Sequence, residues 1–228
     1  MMLMSYGVFV FYSFLCVGDE VVYYQSPLDL MPEITATSDG RISILFTDND
    51  YNIRLVTAKA DLSSHTVEIT SSDFVTYNTY PYAISYIQNG LLAITFAENN
   101  NQTSTSMINS IIGHEVFENG KLIRVDLHES ISIPTSSTIN YLDIDSWHGF
   151  AENNTEMILA YITEDETDGL NILNINYNDA IDTLVIGPRI LNKNSGTSDI
   201  DTHGIHHLAI LMLQSRKFIV SCFCTLLM

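Results

Sequence analysis

The feature that most constrains this chain is a strand pattern that occurs twice, fifty residues apart. Gly40-Arg41-Ile42-Ser43-Ile44-Leu45-Phe46-Thr47-Asp48 is matched by Gly90-Leu91-Leu92-Ala93-Ile94-Thr95-Phe96-Ala97-Glu98. One face carries Ile42, Ile44 and Phe46 in the first copy and Leu92, Ile94 and Phe96 in the second. A period of two is that of a β-strand, whose side chains point alternately to either face of a sheet. Looser copies run from Glu156 to Tyr161, with Met157, Leu159 and Tyr161 on the matching face, and from Lys217 to Cys222, with Phe218, Val220 and Cys222. Gly7-Val8-Phe9-Val10-Phe11-Tyr12 has the same shape near the start.

The surroundings repeat too. A Pro-led apolar stretch precedes each good copy, Pro32 to Thr37 and Pro81 to Ile87. Asp39-Gly40 and Asn89-Gly90 then join the stretches. Such pairs mark two-residue hairpins, because both central residues of a type I′ turn need positive φ. A polar loop follows each copy, and then further strands: Ile53 to Ala58 and Thr66 to Thr70, Met107 to Phe117 and Leu122 to Leu127, Ile172 to Tyr177 and Thr183 to Ile186. Asn119-Gly120 supplies another hairpin signal. Gly113 and its β-branched neighbours argue against a helix over Ile111 to Phe117.

The unit is a four-stranded antiparallel meander. Such units at this period, side by side, are the blades of a propeller. The expected fold is all-β: a β-propeller or partial propeller of four-stranded blades, or a fragment of one. Residues 1–31 are a partial blade or a signal-like segment, 32–80, 81–140 and 141–200 are blades, the last with an insertion, and 201–228 are a partial blade. The intervals Phe46 to Phe96, Phe96 to Tyr161 and Tyr161 to Cys222 are 50, 65 and 61 residues, so the longer units carry loop insertions.

Composition narrows the partners. Nine basic residues face 27 acidic ones, a net charge of −18. Displacing counterions from nucleic-acid phosphates takes clustered Lys and Arg, and none cluster here. An anionic membrane surface is disfavoured for the same reason. Cys16, Cys222 and Cys224 are too few for a disulfide framework. Tyr6 to Val17 has the length of a signal h-region but no preceding Lys or Arg, and reads better as a strand. Phe218 to Met228 is too short to span a bilayer.

Pro32 to Asp48 and Pro81 to Glu98 resemble a propeller-type repeat of large secreted and surface proteins, found beside hemolysin-type calcium-binding and cadherin-like modules. Phe46, Phe96 and Tyr161 stand where that repeat usually has Trp. The Gly-Gly-x-Gly-x-Asp calcium nonapeptide is absent. The resemblance implies an adhesive or structural module and little catalysis.

Candidate chemistry is sparse. Asp48 and Asp50, and Glu164, Glu166 and Asp168, place oxygens at alternate loop positions, as calcium requires, yet neither loop has the closing Glu of an EF-hand. Asp199, Asp201, His203, His206 and His207 form the densest set of zinc-type ligands, without a His-Glu-x-x-His frame. Trp147 beside His148 offers a surface for a sugar ring, or packing between blades. Asn101-Gln102-Thr103 and Asn153-Asn154-Thr155 are glycosylation sequons. No nucleophile elbow, P-loop or dinucleotide glycine pattern occurs. No cofactor is expected beyond the calcium alternative. The expected function is a non-enzymatic interaction or structural module of a secreted or cell-surface protein, meeting a protein or carbohydrate at a loop face. The alternatives are a propeller-fold glycoside hydrolase or carbohydrate-binding domain, and an intracellular propeller scaffold.

Overall fold

A computed structural model describes residues 32–37, 40–48, 50–61, 66–77, 79–100, 102–146, 156–163, 170–192, 205–214 and 217–224. Every regular element in it is a strand. The first sheet holds β1 (Glu33–Ala36), β2 (Arg41–Thr47), β3 (Asn52–Asp61) and β4 (Thr66–Tyr77). The second holds β5 (Tyr82–Gln88), β6 (Leu91–Asn100), β7 (Thr105–Glu118) and β8 (Lys121–Thr135). The third holds β9 (Ile139–Ser146), β10 (Glu156–Thr163), β11 (Leu170–Asn178) and β12 (Thr183–Asn192). A hairpin of β13 (Ile205–Gln214) and β14 (Lys217–Cys224) follows. Each four-stranded sheet is an antiparallel meander in chain order.

Turn chemistry sets the joints. Asn89 and Gly90 have φ of 47° and 80°, and Asn119 and Gly120 have 52° and 77°. Both pairs therefore close two-residue hairpins, Gln88 opposite Leu91 and Glu118 opposite Lys121. At the first joint, the turn expected at Asp39-Gly40 includes Asp39, which lies outside the described residues. Thr37 pairs with Arg41: Thr37 N donates to Arg41 O at 2.8 Å, and Arg41 N donates to Thr37 Oγ1 at 3.1 Å. Gly40 sits beside this pair at φ 81°.

The sheets stack in one direction. Tyr82, Ile84 and Tyr86 of β5 and Leu92, Ile94 and Phe96 of β6 are buried with Leu45, Ile53 and Leu55 of the first sheet. The opposite faces of the same strands carry smaller residues, Ala83, Ala93 and Ala97, and these share a second core with Met157, Leu159 and Tyr161 of the third sheet. In the second and third sheets the face that repeats in sequence thus packs backward onto the preceding sheet. In the second sheet the face with small side chains receives the next one, whereas the first sheet receives its successor on Leu45, Ile53 and Leu55.

First strands lie near first strands. Tyr86 N of β5 donates to Thr35 Oγ1 of β1 at 3.0 Å. Ser85 Oγ of β5 donates to Ser146 Oγ of β9 at 2.9 Å, and Ser146 Oγ in turn donates to the Tyr86 carbonyl. Asn99 stitches β6 to the start of β9: its Nδ2 donates to Ile139 O at 3.0 Å and its Oδ1 accepts from Ile139 N at 3.0 Å. Among the described residues no helix is long and apolar enough to cross a membrane.

Candidate functional site

The adjacency of β1, β5 and β9 brings polar side chains from three sheets to one edge. Alternation on β9 buries Leu142, Ile144 and Ser146 and leaves Tyr141, Asp143 and Asp145 half-buried on the other face. On β1 the half-buried positions are Glu33 and Thr35. Tyr80, just before β5, is 41% exposed, and its ring meets that of Tyr82 edge-on at 5.9 Å between centroids.

These groups feel one another. Burial and the nearby charge of Asp143 push the Glu33 carboxyl up to about 8. Burial, then Tyr141 and Glu33, raise the Tyr80 phenol. Burial foremost takes Tyr82 to about 12, and the Thr47 hydroxyl donates to its oxygen at 3.3 Å. Burial and Asp143 thus both favour the neutral form of Glu33. Beside it Asp143 accepts a hydrogen bond from Ile144 N at 2.8 Å. The edge combines a neutral acid that can donate, a second carboxyl that can accept, and phenol rings.

A second polar group joins the far strands of sheets two and three. In the β7–β8 register His114 lies opposite Asp126, and His128 lies opposite Ile112, which puts all three side chains on the face turned to sheet three. His114 Nε2 is 2.9 Å from Asp182 Oδ1, and the His114 and His128 rings meet edge-on at 5.4 Å. Tyr177 OH also donates to Asp182 Oδ1, at 2.8 Å. The Tyr177 hydrogen bond, with help from both imidazoles, holds the Asp182 carboxyl below its ordinary range. Ser130 Oγ and Thr183 Oγ1, 2.8 Å apart, continue this contact.

The residues singled out in the sequence fare differently. Asp48 is buried at the head of the β2–β3 loop. Its Oδ1 accepts from Asp50 N and Asn52 N, each at 2.9 Å. Its Oδ2 accepts from Asn52 Nδ2 at 3.1 Å and Arg54 Nε at 3.0 Å. Burial alone would raise this carboxyl, but those donors outweigh it and hold it at about 2. The Asp48 oxygens already serve as a loop cap, bonded by Asp50 N, Asn52 N, Asn52 Nδ2 and the Arg54 guanidinium. Glu164, Glu166, Asp168, Trp147, His148, Asn101, Asn153, Asp199, Asp201 and His203 lie outside the described residues. His206 and His207 fall on β13, with His207 opposite Phe223. Among the described residues no three of His, Cys, Asp and Glu gather as a metal set.

Neither the Glu33 edge nor the His114 group stood out in the sequence. Glu33 and Asp143 are 110 positions apart, and only sheet stacking joins them. The one signal was Tyr141-x-Asp143-x-Asp145, acids at strand spacing that look like loop composition. No known family model matches the chain, and no curated protein is similar to it.

Proposed function

We propose that this chain is a non-enzymatic interaction module of a secreted or cell-surface protein, built as part of a β-propeller. The observation that carries the reading is the meeting of three first strands at one edge, with Glu33, Tyr80, Tyr141 and Asp143 upon it. Stacked meanders whose first strands neighbour one another form the inner wall of a propeller arc, and loops at the ends of that wall make a rigid platform. The acidic surface supports solubility and disfavours polyanionic partners. The sequons at Asn101 and Asn153 fit a secretory route.

Two measurements test this. Protein expressed through a secretory pathway is expected to lose mass on enzymatic deglycosylation, with the loss removed by Asn101→Gln plus Asn153→Gln; a protein carrying no glycan contradicts the secreted assignment. A partner is expected to bind without being turned over.

One observation favours a second reading, a glycoside hydrolase. Two carboxyl groups that influence one another, one pushed toward its neutral form by burial, are the kind of acid and partner that glycosidic cleavage uses. Release of a chromophore from aryl glycosides, abolished by Glu33→Gln, would establish it in place of the first.

A further inference from the structure

The first sheet turns Arg41, Leu45 and Leu55 to the second, and its other face has no described sheet upon it. Register places the residues of that other face. Ile34 lies opposite Ile44, Ala58 opposite Ile69, Arg54 opposite Phe74 and Asn52 opposite Tyr77. Ile34, Phe74 and Tyr77 are 41%, 40% and 71% exposed, and Ile42, Ile44 and Ile69 are half-buried. The Phe74 and Tyr77 rings meet at 4.6 Å between centroids. In the second and third sheets the equivalent face, with Leu92, Ile94 and Phe96 or Met157, Leu159 and Tyr161, is buried against the sheet before it. Apolar side chains thus run from β1 across to β4 on a face of the gripping type, and covering that width takes a partner of four strands.

An open strand edge lies at the other end of the array. β13 sits beside β9, as β9 sits beside β5 and β5 beside β1, so the β13–β14 hairpin begins a fourth unit. In the full sheets the second strand is paired along both edges: β2 with β1 and β3, β6 with β5 and β7, β10 with β9 and β11. β14 is the second strand of its unit, and among the described residues β13 alone pairs with it. Such an edge is a template for a further strand. In the full sheets the third and fourth strands with their turn span 26, 31 and 23 residues, Asn52–Tyr77, Thr105–Thr135 and Leu170–Asn192. The chain ahead of the described residues, 1–31, has that length. Its sequence sets the β-branched and aromatic runs Gly7 to Tyr12 and Val21 to Tyr24 on either side of Gly18-Asp19, a turn pair. Pro32 and Glu33 alone separate it from Ile34, so its effective concentration at this face exceeds that of a second molecule.

We propose that residues 1–31 pair with β14 as the third and fourth strands of a fourth sheet, and that this sheet covers the face bearing Ile34, Ile44, Phe74 and Tyr77. The inference rests on the propeller reading above.

The test is residue-resolved amide exchange of the full chain. On an edge strand of an antiparallel sheet only alternate N–H groups are held by the neighbour. Successive amides of β14 from Phe218 to Phe223 are expected to exchange slowly, and those of Gly7 to Tyr12 at least tenfold slower than in a synthetic peptide of residues 1–31. Both results are expected to hold over a tenfold range of protein concentration. Tyr77 is so exposed that Tyr77→Ser leaves the first sheet itself little affected. This variant is expected to speed exchange over residues 1–31 about threefold or more while β6 is unchanged. Fast alternate amides along β14, free-peptide exchange over residues 1–31, or indifference to Tyr77→Ser overturns the inference. Protection seen only at high concentration also overturns it, and gives the face to a second copy of the chain. In each of these failures slow exchange in β6 and β10 leaves the stacked-sheet reading standing. Fast exchange in β6 and β10 of the unaltered chain overturns that reading as well.

Discussion

At the scale of single residues, the first sheet is tied down by two charged side chains that sequence made look incidental. Arg41 reaches from β2 to Glu115 on β7, Nη2 to Oε2 at 2.8 Å, with side-chain exposures of 7% and 0%. Its guanidinium also lies over the Phe117 ring, 4.4 Å from the centroid. A buried pair of this kind contributes little net stability over an apolar substitute, but breaking it strands a charge. Glu115→Ala is expected to lower unfolding free energy by about 3–5 kcal/mol in urea titration, and Arg41→Met in the same background is expected to recover part of that. Asp48 gives a pH signature. Its folded pKa of about 2 lies below the ordinary 3.8, so its contribution is complete above pH 4 and is lost as pH falls through 2. The stability gap between wild type and Asp48→Asn is therefore expected to shrink steadily from pH 4 to pH 2. A constant gap would mean that the four donors around Asp48 do not favour its charged form.

At the scale of elements, the hairpins show what was legible. Asn89-Gly90 and Asn119-Gly120 were readable because a type I′ turn demands a chemistry few residues meet. The two turns differ in their surroundings. A Cβ on Gly120 meets nothing within 4 Å, while one on Gly90 comes within 3.3 Å of the buried Glu115 side chain. Gly120→Ala is expected to cost about 1 kcal/mol from backbone strain alone. Gly90→Ala is expected to cost about 1–3 kcal/mol more, because Glu115 must shift inside a packed interface. Chemical denaturation of the two variants side by side separates strain from crowding. Strands β2 and β6 declared themselves by alternation, although the Leu92, Ile94 and Phe96 stripe of β6 is buried whereas Ile42 and Ile44 of β2 are half-buried. The first strand of the third unit did not. Ile139 to Ser146 places Asp143 and Asp145 at alternate positions, and acids depress strand signal although one face is apolar. The candidate site hid for the same reason: its residues serve the edge, and an edge is made by partners far away in sequence.

At the scale of the whole molecule, charge and stacking oppose each other. Eighteen excess negative charges repel one another in the compact state and less so when the chain is extended. Salt shortens the reach of that repulsion. Raising sodium chloride from 0.02 M to 0.5 M is expected to lift the midpoint of thermal unfolding by about 2–4 °C, the shift that about 1 kcal/mol makes in a chain this long. A flat response would mean that the acids are spaced too widely to matter. Stacking itself was legible only as a period. The sequence showed that units recur, whereas their order of contact depends on side-chain volume: bulky Leu92, Ile94 and Phe96 on one face, compact Ala93 and Ala97 on the other.

That asymmetry gives the array a polarity. Because the surface by which the second sheet grips its predecessor differs from the surface it offers its successor, the association is heterologous. Its fate is decided by geometry: a constant angular step that sums to a full circle seals the structure into a ring, and any other step leaves it an open-ended spiral.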